Sequence, residues 1–146
     1  MSYAIIEAAL STLIQGLSDY DSDNVKQGDW RWMGAGKTKG VTLTPGGFSQ
    51  VDGTLRDMAL VTWTIRVELY VAWDGEQNTT VATLKTDRQS IIDRVNQYHK
   101  LDGTSGVMNA IIRSAEPIEE FYGNTNFWRQ VLSCEVLETA TFTRQE

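Results

Sequence analysis

The alternation of apolar and polar positions is regular along much of the chain and predicts long strands. In ALVTWTIRVELYVAW, residues 59–73, every odd position is apolar, whereas Thr62, Thr64 and Glu68 occupy even positions. Successive side chains of a strand point to opposite faces, so this period of two predicts a strand with one face on a core. Residues 127–143, FWRQVLSCEVLETATFT, carry apolar side chains at most even positions and predict a second such strand.

Two further stretches have the spacing of amphipathic helices. Residues 3–17 place apolar side chains at steps of three and four, and residues 78–98 repeat that spacing. Asn78 or Thr79 is the predicted N-cap of the second helix, because a short polar side chain there satisfies free backbone N–H groups. Arg88 is the one charge on its apolar stripe, and an arginine stem can lie along an apolar surface.

The rest of the chain is predicted in less regular elements. Residues 107–117 are typical of a strand but do not fix which face is buried, and short strands are predicted near 30–33 and 41–44. The glycine- and proline-containing region 34–58 is predicted to be an extended loop or hairpin excursion. The order of elements predicts one domain, residues 1–146, of the α+β class: a mainly antiparallel twisted sheet with two helices packed on one face.

Composition and charge exclude several classes of protein. The 146 residues carry a formal net charge of −6, which argues against a dedicated nucleic-acid binder because such a protein normally presents a basic face. Cys134 is the one cysteine and His99 the one histidine, so neither a disulfide framework nor a zinc cluster is expected, and a reducing cytoplasm suits the chain. No signal peptide is expected, and no run reaches the roughly 18 apolar residues that cross a membrane.

Two partial motifs invite a ligand-binding interpretation and fail on spacing. Residues 36–38 read Gly-Lys-Thr, but the position five residues before this glycine is Arg31 rather than the first glycine of a P-loop. Residues 19–23 supply the first three aspartates of an EF-hand loop, whose sixth and twelfth positions here lack the required glycine and glutamate. His99 is interpreted as a solvated helix-end residue and Cys134 as a core residue. We therefore expect no enzymatic activity, no cofactor and no metal.

One segment, residues 26–40 (KQGDWRWMGAGKTKG), combines cations with tryptophans in an otherwise acidic chain. Such a patch can contact a nucleic-acid backbone and stack on bases. The predicted members of this basic patch are Lys26, Arg31, Lys37 and Lys39. A hairpin whose Trp30 and Trp32 pack on the core or on a neighbouring subunit explains the pattern without a ligand. We favour that interpretation because aromatic and arginine residues are enriched at protein interfaces.

Taken in order, the elements resemble the tail terminator, or tail completion, proteins of long-tailed bacteriophages. The resemblance rests on the N-terminal amphipathic helix, the excursion ending in TLTPGGFSQVDG, the strand VTWTIRVELYVAW, the helix LKTDRQSIIDRVNQY and the final strand FWRQVLSCEVLET. It covers nearly the whole chain and depends on element order and strand character rather than on a single motif.

The resemblance implies a structural protein of the virion, assembled in the bacterial cytoplasm and placed at the junction of tail and neck. Copies would form a ring, commonly a hexamer, that binds the tail tube protein, ends tube polymerisation and joins the tail to the head connector. DNA would pass through the lumen without sequence-specific binding, which suits an acidic chain because phosphates adhere to cationic walls. By this analogy Trp30, Trp32, Met33 and Phe48 are the candidate contacts with a neighbouring subunit or the tail tube. No membrane partner is implied.

Other interpretations remain open from sequence alone. A head-closure protein, another neck protein or a tail-tube-like protein would share the ring architecture. A small α+β enzyme or ligand-binding domain would use a pocket between helix and sheet, where Asp74, Arg88 or His99 could act. A stand-alone nucleic-acid binder would depend on the basic patch and is disfavoured by the net charge of −6.

Overall fold

Helices and strands follow one another in the α+β order that the sequence predicts. The structure, a computed structural model, describes residues 3–28, 38–52, 58–73, 75–121 and 126–141. Its elements are α1 (Tyr3–Gln15), β1 (Val25–Gln27), β2 (Lys39–Asp52), β3 (Met58–Ala72), α2 (Gln77–Gln97), β4 (Val107–Ala115), β5 (Glu119–Phe121) and β6 (Phe127–Thr141). The predicted fold class is confirmed, with two helices and one mainly antiparallel sheet in the described residues.

The sheet has the strand order β1-β2-β3-β6-β4, and β5 pairs with the beginning of β6. All described strand pairs are antiparallel except β1 with β2. Both long strands predicted from the period of two are present as β3 and β6, and they pair along their whole length. Because Ile65 pairs with Cys134, the odd positions of β3 and the even positions of β6 share one face.

Both helices pack on this shared face and form the core with it. The fully buried core side chains include Ile6, Leu10 and Ile14 of α1, Leu84 and Ile91 of α2, and Ile65, Val67, Leu132, Cys134 and Val136 of the central strands. Each large apolar side chain buried in this way stabilises the fold by about 1.5–3 kcal/mol. Neither described helix is long and apolar enough to cross a membrane.

Of the region predicted as an extended loop or hairpin excursion, residues 34–58, the structure describes residues 38–52 and 58. Residues 39–52 form β2, which belongs to the main sheet and pairs with β3, because its Val41 and Leu43 are fully buried in the core. Residues 44–47, Thr-Pro-Gly-Gly, do not end the strand but carry a bulge between Pro45 and Gly47 within it. Glycine suits the centre of this bulge, since a Cβ on Gly46 would lie 3.0 Å from the backbone oxygen of Thr64.

Two smaller details also differ from expectation. Helix α2 begins at Gln77 with Glu76 as its N-cap residue, so the predicted cap at Asn78 or Thr79 is wrong. Strand β4 carries bulges between Val107 and Asn109 and between Ile112 and Ser114. These bulges interrupt the period of two, which explains why the sequence left the buried face of β4 open.

Candidate functional site

The sheet face opposite the two helices, called the helix-free face below, carries a buried polar cluster. Its central residues alternate with the core residues of β3: Arg66, Glu68 and Tyr70 stand at even positions. Strand pairing sets Thr42 of β2 opposite Glu68 and Arg129 of β6 opposite Tyr70. Side chains directly opposite one another on one face are close enough to interact, so five polar residues from three strands meet here.

Glu68 is the centre of the cluster and is almost completely buried, with its side chain 10% exposed. Its Oε2 accepts hydrogen bonds from Thr42 Oγ1 at 3.0 Å and from Tyr70 Oη at 3.2 Å. Its Oε1 lies 3.3 Å from Arg66 Nη2 and 3.7 Å from Arg129 Nη1. A buried carboxylate is tolerated only where its oxygens are hydrogen-bonded and its charge is paired, and both conditions are met here.

Two outer ion pairs extend the cluster along the helix-free face. Arg129 Nε donates to Glu119 Oε1 of β5 at 3.0 Å, and Arg129 Nη2 also contacts that oxygen. Arg113 Nε of β4 donates to Glu135 Oε2 of β6 at 3.0 Å. Together with Arg66, each arginine on the described part of this face therefore contacts a glutamate, and their positive charge is locally compensated.

Tyr70 is held as a neutral hydrogen-bond donor beneath this cluster. Its side chain is fully buried, and its ring meets that of Phe127 edge-on with centroids 6.2 Å apart. Burial, together with the negative charge of Glu68, raises the pKa of Tyr70 to about 12. The phenol therefore stays protonated at neutral pH and keeps its hydrogen bond to Glu68.

One of the four predicted interface residues is in the described part of the chain. Phe48 lies in β2 with 65% of its surface exposed, and its ring centroid is 5.3 Å from that of Trp63. Trp63 in turn contacts Tyr3 of α1 at 5.7 Å, so the three rings form a row from the core to the sheet edge. The other three predicted contacts, Trp30, Trp32 and Met33, lie outside the described residues.

The predicted basic patch is not assembled by the two of its members that the structure describes. Lys26 of β1 pairs with Thr42 and so faces the helix-free side, whereas Lys39 of β2 faces the helices. Lys39 Nζ lies 3.1 Å from Asp19 Oδ2 and 3.4 Å from Asp87 Oδ2, which compensates its charge. The remaining members, Arg31 and Lys37, lie outside the described residues.

The side chains considered for catalysis do not converge on a site in the described residues. His99 is exposed in the turn after α2, and Arg88 is half-buried on that helix. Cys134 is fully buried in the core, where burial raises the pKa of its thiol to about 12. In the described ranges no group of three or more histidine, cysteine, aspartate or glutamate side chains is placed to hold a metal ion. Asp74 lies outside these ranges.

The cluster around Glu68 was not predicted from the sequence, which indicated only that the even positions of β3 form a polar face. Glu68 was predicted on the polar face of its strand, but its partners Thr42 and Arg129 come from strands that are distant in sequence. The signal available was the Arg-x-Glu-x-Tyr spacing, which places three hydrogen-bonding side chains on one face.

No protein-family model matches this chain, and no curated protein is significantly similar to it. Its function must therefore be inferred from the geometry of the described residues and from the resemblance stated above.

Proposed function

We propose that this chain is a structural ring protein of the phage tail terminator type. Copies join side by side into a closed ring that caps the tail tube, ends its polymerisation and connects the tail to the head, while DNA passes through the lumen. The observation that carries this proposal is the helix-free face, on which Arg66, Arg113 and Arg129 each contact a glutamate. In the proposed ring this face lines the lumen and the two helices lie outside.

A channel for DNA must present a polar wall to which phosphates do not adhere. Duplex DNA carries one negative charge per about 1.7 Å of its axis, and uncompensated arginines would bind it through release of counterions. The ion pairs between Arg129 and Glu119 and between Arg113 and Glu135 reduce that attraction while keeping the wall hydrated. This pairing of arginine with glutamate supports the proposal that DNA slides along the helix-free face without adhering to it.

The sheet also has two different edges, which can supply the two unlike patches of a head-to-tail contact. In the described residues no strand pairs with the outer edge of β4, or with β2 beyond Leu43. Each of these edges bears an exposed apolar side chain, Phe48 on β2 at 65% and Met108 on β4 at 46%. A contact between two different patches closes a ring when the rotation closes.

Strand register places these two apolar side chains at nearly the same height on the sheet. Phe48 pairs with Trp63, Trp63 pairs with Val136, and Val136 pairs with Ala110, which is two residues from Met108. A subunit that docks its β2 edge on the β4 edge of the next therefore needs little displacement along the strands. Such a contact favours a flat ring over an open helical filament.

Native mass spectrometry over a concentration series tests this proposal. We expect the wild-type protein to form a closed ring, and we expect Phe48→Ser and Met108→Ser to shift the mass towards the monomer. Burial of a large apolar side chain contributes about 1.5–3 kcal/mol, so each substitution should weaken the contact roughly 10-fold or more. Ile5→Ser is the matched control, since Ile5 is 54% exposed and lies on helix α1 rather than on an edge strand. Equal effects of all three substitutions, or a strict monomer at every concentration both alone and with tail tubes, would contradict the proposal.

A further inference from the structure

We infer that a polar pocket between α1 and the connection from α2 to β4 binds a small zwitterion, namely a free amino acid. The pocket has a volume of about 300 Å³, and its lining includes Ala9 and Leu13 of α1, Arg94 of α2, and Leu101, Asp102 and Thr104 of the connection. This inference does not depend on the proposed ring, because it uses neither the sheet edges nor the helix-free face.

Arg94 supplies a guanidinium group whose position the protein fixes without a ligand. Arg94 lies in the last turn of α2, and its Nε donates to the carbonyl oxygen of Leu13 at 3.2 Å. Its Cζ lies 4.5 Å from the centroid of the Tyr98 ring, at cation–π distance. A Cβ on Gly16 would collide with Arg94 Nη2, so the missing side chain at Gly16 leaves room for the guanidinium.

The contacts of Arg94 leave its two outer nitrogens available. Within the described part of the chain no carboxylate pairs with Arg94, and no group accepts a hydrogen bond from its Nη1 or Nη2. These two nitrogens can together donate to the two oxygens of one carboxylate, which is a strong and directional interaction. Arg94 therefore offers the pocket a site for the carboxylate of a ligand.

The opposite charge comes from Asp102, which lies in a strained part of the connection. Leu101 and Asp102 have φ values of 50° and 56°, a left-handed conformation that leucine seldom adopts. The connection is fixed there because Leu101 is 2% exposed and its carbonyl oxygen accepts a hydrogen bond from Thr104 Oγ1 at 2.7 Å. Strain of this kind persists only where the surroundings hold it and is common at ligand-binding sites. The side chain of Asp102 is exposed, and no described residue bonds to its carboxylate.

Two unpaired charges of opposite sign select a ligand that carries both signs. Arg94 and Asp102 line the same pocket but form no ion pair with each other in the described residues. A ligand carboxylate on Arg94 and a ligand ammonium group on Asp102 would pair both charges at once. A metal cation would be repelled by Arg94, and an inorganic anion would be repelled by Asp102.

The size of the pocket and its apolar lining favour one amino acid over a longer ligand. The volume of about 300 Å³ lies at the lower limit of the range usual for small-molecule sites, about 300–1,000 Å³. Ala9, Leu13 and Leu101 give the pocket apolar side chains against which a short aliphatic side chain can pack. A peptide carries its ammonium and carboxylate groups at opposite ends, whereas a free amino acid carries them on one carbon atom. We therefore assign the occupant to the free amino acids.

Nuclear magnetic resonance titration of the ¹⁵N-labelled full chain tests the inference. L-Valine is the probe, and isovalerate and isobutylamine are matched controls that lack its ammonium group and its carboxylate, respectively. We expect L-valine to shift the backbone amide signals of residues 101–104 with a dissociation constant in the millimolar range. Each control should bind about fivefold more weakly, since it loses one of the two charge-assisted contacts.

Three variants assign each contact to its residue. Asp102→Asn keeps the side-chain shape and the tolerance of a left-handed backbone, so it should weaken L-valine about fivefold and leave isovalerate unchanged. Gly16→Ala should displace the guanidinium of Arg94, weakening L-valine and isovalerate but not isobutylamine. Asp93→Asn is the matched control, because Asp93 is an exposed residue of α2 that accepts a hydrogen bond from Gln89 and does not line the pocket. It should leave the binding of all three compounds unchanged.

Four results would overturn the inference. The first is the absence of amide shifts with L-valine, and the second is equal binding of L-valine, isovalerate and isobutylamine. The third is an equal effect of Asp102→Asn and Asp93→Asn on the binding of L-valine. The fourth is binding of the dipeptide L-valyl-L-valine as tightly as L-valine, which would remove the assignment to a free amino acid. Because the test compares compounds on the same folded protein, a general loss of stability in a variant does not imitate the expected result.

Discussion

Replacing Glu68 with glutamine tests whether the buried cluster stabilises the fold through its charge. The substitution keeps the shape of the side chain but removes the negative charge that faces Arg66 and Arg129. Breaking a fully buried ion pair costs about 3–5 kcal/mol. The arginine side chains here are 42% and 19% exposed, and Arg129 keeps its contact with Glu119, so we discount that cost to about 2–3 kcal/mol.

Urea unfolding at pH 7, followed by tryptophan fluorescence and circular dichroism, measures this loss. With a denaturant slope of about 1–3 kcal/mol per molar, the midpoint should fall by roughly 1 M or more. Glu135→Gln is the matched control, because its pair with Arg113 has side chains 34% and 60% exposed and should contribute less than about 1 kcal/mol. Equal losses in the two variants would refute the reasoning, because the burial of Glu68 would then have no energetic consequence.

A double-mutant cycle separates the ion pair from other effects of the substitution. Glu68→Gln and Arg129→Met are made singly and together, and their free energies of unfolding are compared with the wild type. Residues that share a polar network usually show interaction energies of about 0.5–3 kcal/mol. We expect a favourable coupling within this range, and additive losses would show that Glu68 acts through packing alone.

Three further predictions concern the helix-free face and the neighbouring strand β2. Because burial raises the pKa of Tyr70 to about 12 in the folded state, the free energy of unfolding should be unaffected by this group below pH 10 and should fall, by up to about 3 kcal/mol, as pH rises through 12. Tyr70→Phe should therefore flatten the alkaline loss of stability seen by chemical unfolding, and parallel curves would contradict this. Gly46→Ala should lower the free energy of unfolding by about 1–3 kcal/mol, since the added Cβ lies 3.0 Å from Thr64 O, and an unchanged urea midpoint would argue against this close approach. The double variant Glu119→Gln/Glu135→Gln should bind duplex DNA in a mobility-shift assay at low salt, where the wild type does not, and no gain would show that these pairs do not mask the arginines.

The long regular elements could be predicted because each buries one continuous face. Helices α1 and α2 and strands β3 and β6 all lie where the periodicity of the chain places them. Strand β2 could not be predicted at full length, since Thr-Pro-Gly-Gly has local turn chemistry that pairing with β3 overrides. The bulges of β4 likewise depend on its pairing with β6 rather than on its own residues.

The candidate surfaces were less accessible to sequence reasoning because they depend on strand register. The Glu68 cluster forms only if the strand register places Thr42 opposite Glu68 and Arg129 opposite Tyr70. The sequence does not specify that register. Trp73 was predicted on the apolar face of β3, but the strand ends at Ala72 and leaves its indole 52% exposed beside a pocket. Phe48 was selected as a contact residue by analogy, and its exposed position on β2 leaves it available for that role.

The proposed assembly is a closed ring whose lumen is lined by the helix-free face. Electron cryomicroscopy of the assembled protein, alone or on the ends of purified tail tubes, measures this arrangement directly. We predict a closed ring in which the ion pair between Arg113 and Glu135 faces the lumen, with α1 and α2 on the outside. A ring lined by the helices, or a protein that remains a single copy both alone and with tail tubes, would contradict the account.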